Sequence, residues 1–131
     1  MLQNDNRLTK PRDFNLVLKY GRWFKVPDLT IKVLDLAKNT NYFPKNELVD
    51  KFQKQLRIAI ATGLKLSKIA VVRNRIRRQV REVVRLLILQ NKLKVGYYIL
   101  IVPEKTLLTK DYAEISEKVT LLLKQSGVLI K

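Results

Sequence analysis

The chain is 131 residues long and 47% hydrophobic, with 27 Lys and Arg against 11 Asp and Glu, a net charge of +16. That apolar content supplies a packed core and argues against a wholly disordered basic tail, while a pI of about 10.3 points to a polyanionic partner, nucleic acid before an anionic membrane. With no Cys and no His, disulfides, thiolate chemistry, a Cys/His metal site and the usual general base at neutral pH are excluded.

A chain of this length is expected to be one domain, residues 1–131. The N-terminus, Met1-Leu2-Gln3-Asn4-Asp5-Asn6-Arg7, is polar and lacks an apolar targeting core. No apolar run approaches the length of a membrane span. The expectation is a soluble protein of the cytoplasm.

Thr9 is placed to cap a first helix, with Pro11 in its opening turn. Phe14, Val17 and Leu18 fall on one face of that helix, and Gly21 is expected to stop it. Trp23 to Val26 reads as an edge strand. Leu29 to Leu36 reads as a second strand, with Leu29, Ile31 and Val33 alternating with Thr30 and Lys32. Residues 37–55 are the least regular part of the chain. Asn39-Thr40-Asn41 and Pro44 say loop, and Asn46 can cap a short helix carrying Leu48, Val49 and Phe52. A connection this long is uncommon in a compact domain, so it reads as an insertion between two strands.

Leu56 to Thr62 alternates again and reads as a strand. Gly63 to Lys68 is a basic turn into a long helix from about Val72 to Gln90. Tyr97 to Val102 is a nearly continuous apolar strand ended by Pro103. Asp111 with Glu114 makes a capping-box-like start to a last helix carrying Tyr112, Ile115, Val119 and Leu122, which Gly127 closes. The order is helix, strands, long helix, strand, helix, an α+β class.

The long helix carries the functional signal. Between Lys65 and Arg85 stand eight Lys or Arg and one acid, Glu82. At about 100° per residue, Ile76, Val80, Val83, Val84 and Leu87 share one sector, which should lie on the sheet. Asn74, Arg77, Arg78, Arg81 and Arg85 share the opposite sector, with Arg73 and Arg75 flanking the start. A guanidinium offers a planar fork of donors that suits paired phosphate oxygens. A helix kept only for solubility usually mixes both charge signs. Membrane-surface helices carry bulky apolar anchors, whereas this sector is aliphatic and needed as cover for strands. The pattern favours nucleic acid without choosing its sugar. Phe14, Trp23, Phe24, Tyr97 and Tyr98 could stack bases, although such residues more often serve a core or an edge. Phe14 is the best candidate, beside Lys10, Arg12 and Lys19.

Arg7-Leu8-Thr9-Lys10 with Asp13-Phe14, Gly21 after the helix, Arg57 opening a strand, and the block Ala70-Val71-Val72-Arg73-Asn74-Arg75-Ile76-Arg77-Arg78 together resemble the bacterial ribonuclease P protein subunit. The resemblance runs from Arg7 to the last helix. It implies a four-stranded sheet with three helices and a left-handed strand–helix–strand crossover. It also implies that the chain binds a large catalytic RNA and helps it remove 5′ leaders from precursor tRNA. The RNA would hold the catalytic centre with divalent metal, expected to be magnesium. No catalytic residue is then expected in the protein, and no protein partner is evident.

By the same resemblance, Arg73, Asn74, Arg75, Arg77, Arg78 and Arg81 would face the catalytic RNA, and the basic pattern adds Lys65, Lys68 and Arg85 to the expected RNA-binding set. Phe14, Leu18, Lys32 and Arg57 would line a groove for the single-stranded leader. Leu18 and Lys32 stand where the family often has aromatic residues, and Gly63-Leu64-Lys65 replaces its usual Ser-Lys-Lys, which shifts weight from stacking to charge. Two other readings stay open: a basic ribosomal or general RNA-binding protein with no processing role, and a nuclease using carboxylates without RNA.

Overall fold

The computed structural model describes residues 6–36 and 55–130. The expected insertion at 37–55, with its helix capped by Asn46, lies outside the described residues apart from Gln55.

Helix α1 spans Pro11–Tyr20. Its N-cap is Lys10, not Thr9, and no side chain caps it. Pro11 explains the shift: proline drives the residue before it into extended backbone, so Lys10, at ψ 129°, becomes the boundary. Gly21 does end the helix, but at φ −68° rather than in the left-handed conformation. Glycine is needed there for close approach, since a Cβ would sit 2.5 Å from the Val17 carbonyl oxygen and 2.9 Å from Lys32 Cγ.

Strands β1 (Arg22–Val26), β2 (Leu29–Asp35), β3 (Leu56–Ile60) and β4 (Tyr97–Pro103) form one sheet in the order β1-β2-β4-β3. β1 pairs antiparallel with β2, and β2 with β4, while β3 runs parallel to β4. Helix α2 spans Ala70–Leu89, and helix α3 spans Tyr112–Gln125. A 3-10 turn at Lys105–Thr109, which the sequence reading did not anticipate, leads from β4 to α3.

Both faces of the sheet are covered. Ile31, Val33, Ile58, Ile99 and Ile101 meet the apolar sides of α2 and α3. Leu34, Tyr98 and Leu100 meet Val17 of α1 on the other face. Two-sided cover explains why β2 is buried along most of its length and why Lys32, placed by the alternation on a polar side, is only 8% exposed. On α2 the buried residues are Ile76, Val80, Val83, Val84 and Leu87, the sector its periodicity marks. At the start of α3, Asp111 accepts from the Glu114 amide at 2.9 Å, as its spacing predicts. Gly127 follows that helix at φ +82°.

The hand of the crossover follows from the register. Arg57, Ala59 and Ala61 turn their side chains to the α1 face, and the Ala61 amide donates to the Ile101 carbonyl at 2.8 Å. For L-residues this puts β4 to the right of an upward-running β3 seen from the α1 side. Helix α2 makes the connection across the opposite face. The β3–α2–β4 crossover is therefore left-handed, against the hand that about 98% of such connections take.

Candidate nucleic-acid interface

The exposed side of α2 concentrates positive charge over three turns. Asn74, Arg77, Arg78, Arg81 and Glu82 line a surface hollow of about 630 Å³ among the described residues. These side chains differ in freedom. Arg78 is exposed and makes no hydrogen bond or ion pair among the described residues. Arg77 is half-buried: its Nε donates to Thr62 Oγ1 at 2.8 Å and its Nη1 to Asn74 Oδ1 at 3.4 Å. Thr62, itself buried, thus fixes one arginine of the face. Helical spacing could not have found it, because it lies beyond the end of β3.

Arg81 is also half-buried, and its pKa is lowered first by burial and then by the charges of Arg77 and Arg7. Arg7 reaches this place because the N-terminal segment bridges to Ile58 at the β3 edge, with the Leu8 amide on the Ile58 carbonyl at 3.0 Å. An arginine remains charged under such pressure, so an anion brought to the cluster relieves repulsion as well as gaining contacts. Arg85 is committed to Glu82, with Nε at 3.0 Å from Oε2, and that bond holds the carboxyl pKa of Glu82 below its ordinary value.

The flanking residues diverge. Arg73 folds back to donate to the Ser67 carbonyl at 2.9 Å, which stiffens the turn after β3. Arg75 points to the other flank and donates to the Leu108 carbonyl at 3.0 Å, tying α2 to the 3-10 turn. Lys65 and Lys68 stand exposed on the turn that carries the chain into α2.

The α1 side of the sheet holds the second set of expected site residues. Phe14 is half-buried against the α1 cluster, as are Ala59, Ala61 and Val102 on the sheet. These small or partly open positions mark a strip of sheet that α1 leaves uncovered. Leu18 is 41% exposed. Arg57 shares this face, and its Nε is buried without a hydrogen-bond partner among the described residues. Lys32 does not stand free in the groove as expected. Its ammonium donates to the Leu18 carbonyl and lies 4.7 Å from the centre of the Trp23 ring. It ties the end of α1 to β1 and β2.

A left-handed crossover, an arginine face on the crossing helix and an open strip beside α1 stand together in this chain. The family model for ribonuclease P matches residues 2–127. The chain belongs to the ribonuclease P protein family. It is 39% identical over 130 residues to the ribonuclease P protein component of a Synechococcus species, covering 99% of this chain and 88% of that one. It is 33% identical to the component from a Pseudanabaena species, covering 98% and 97%. The solved ribonuclease P protein from Thermotoga maritima superposes with a TM-score of 0.69 at 25% identity, over 92% of this chain and 96% of that one. The protein is a subunit of a ribonucleoprotein endoribonuclease, works with the RNA of ribonuclease P, and serves maturation of the tRNA 5′ end. The reading as a ribosomal or general RNA-binding protein is not favoured.

No helix among the described residues is long and apolar enough to cross a membrane. The described residues do not fit a metal held by the protein alone: they include no group of three acidic, His or Cys side chains, and Glu82, the acid on the arginine face, is occupied by Arg85. The RNA of ribonuclease P depends on metal ions.

Proposed function

We propose that this chain acts on precursor tRNA, with the single-stranded 5′ leader lying along the strip beside α1 and the arginine face of α2 set against the catalytic RNA. The supporting observation is the continuity of the two surfaces. Arg77 is fastened to Thr62, next to Ala61 on the open strip, so phosphate donors begin where the strip reaches the β3 edge. Arg78 and Arg81 continue the charge along α2, and Lys65 and Lys68 extend it at the turn. Arg57 and Phe14 belong to the leader side. Leu18 adds an apolar contact there, and Lys32 shapes the strip by holding α1. Magnesium bound by the RNA, and action in the cytoplasm, belong to the same proposal.

The test compares precursor and mature tRNA in the reconstituted holoenzyme. A stacked base is worth about 1–3 kcal/mol, so Phe14→Ala should weaken precursor binding by up to that amount and leave mature tRNA unchanged. Because Phe14 is only partly buried, its loss should lower stability by less than the ~3–5 kcal/mol of a core phenylalanine. Leu18→Phe, which adds a ring one turn away, should tighten precursor binding. Equal loss of affinity for precursor and mature tRNA, or a collapse in Tm, would contradict the assignment.

A further inference from the structure

Trp23 is the single tryptophan of the chain. It is 56% exposed on β1, an edge strand of the sheet. An indole that large is normally buried or covered, so its exposure calls for a reason. Nor is the ring loosely held. Trp23 pairs directly across the strands with Lys32, and the Lys32 ammonium sits 4.7 Å from the ring centre. That ammonium is itself fastened to the Leu18 carbonyl at the end of α1. The cation, being almost buried, cannot follow solvent, and it fixes the indole from the protein side. What remains is a rigid aromatic plane, more than half exposed, held from behind by the ammonium that the Leu18 carbonyl fastens.

We propose that Trp23 is a stacking platform for one unpaired base of an RNA strand, with Lys32 as the positioning residue behind the ring. Three observations choose RNA over a protein partner. The chain carries a net charge of +16. Exposed Lys19 lies four residues before the ring, near the end of the helix that Lys32 fastens, and offers a cation to a backbone phosphate on this face. Trp23 also faces the α1 side of the sheet, the side of Ala59, Ala61 and Phe14, so one strand can cross from the arginine cluster at the β3 edge to the indole at the β1 edge. Three inter-strand spacings separate those edges, about 14 Å. The proposal rests on the reading that the leader of precursor tRNA lies on this face, and it adds the far end of its path.

Because there is one tryptophan, its emission reports this position alone. In the holoenzyme reconstituted with the catalytic RNA, precursor tRNA should quench that emission and mature tRNA should not. Trp23→Ala should weaken precursor binding roughly 5- to 150-fold while mature tRNA binds as before. Trp23→Phe should recover most of the loss, and Lys32→Met should reduce the quenching by freeing the ring. If wild type discriminates precursor from mature tRNA but Trp23→Ala does so equally well and emission does not change, the platform is overturned and the leader reading survives. If wild type does not discriminate the two, the leader reading fails and the platform with it. Quenching that depends on protein concentration without RNA would assign the surface to self-association and also overturn the proposal.

Discussion

Arg75 and Arg78 lie one turn apart on α2, yet they should answer differently to the same substitution. Arg78 is exposed and makes no bond among the described residues, whereas Arg75 is fastened to the Leu108 carbonyl. If Arg78 neutralises one phosphate, Arg78→Ala should lower the slope of log K against log salt by roughly 0.7–0.9 with no loss of stability. Arg75→Ala should change that slope less and lower Tm by detaching α2 from the 3-10 turn. Salt titrations and thermal melts of the two variants check this, and equal slopes with equal melting would contradict it. At this scale the sequence showed which arginines share a face, because helical spacing determines that. It could not show which are occupied, because Thr62, Ser67 and Leu108 are brought to them by the fold. The bond from Lys32 to the Leu18 carbonyl was hidden for a related reason: strand alternation marks a side of the sheet but does not say that α1 will cover it.

Elements were more legible than their ends. The buried sector of α2 followed directly from an aliphatic period that a helix must satisfy to cover the sheet. The start of α1 did not, since the preference of Thr9 as a cap yields to the backbone restriction imposed by Pro11. The link between β1 and β2 carries a further consequence. Asp28 sits there at φ +76°, and its carboxylate lies 3.1 Å from Lys118 Nζ on α3. A hydrogen bond from Thr106 and then that ammonium hold its pKa below the ordinary 3.8. A carboxyl whose folded pKa is depressed contributes its full stabilisation above the unfolded value and loses it as pH falls through the folded one. The β1–β2 turn should therefore stay latched to α3 above about pH 4 and release below it. Asp28→Asn should flatten the acid limb of Tm against pH, and an unchanged acid limb would show that the latch is not coupled to folding.

At the scale of the whole molecule, composition excluded thiolate and imidazole chemistry and indicated a polyanionic partner, but it could not indicate the hand of the β3–α2–β4 crossover. Connection rules favour the opposite hand, so that feature was legible only through the family resemblance carried by Arg73-Asn74-Arg75 and its neighbours. The left-handed path matters to the account because it sends α2 across the face opposite α1, leaving its arginine side at the β3 edge where the open strip ends. On the reading proposed above, the protein offers positioning and charge, and the chemistry falls to the RNA. The most direct measurement is cleavage of precursor tRNA by the protein alone, by the catalytic RNA alone, and by the two together at low magnesium. The account predicts no cleavage by the protein, weak cleavage by the RNA, and a marked increase when they are combined. Robust metal-dependent cleavage by RNA-free protein, or no gain on adding protein to RNA, would contradict it.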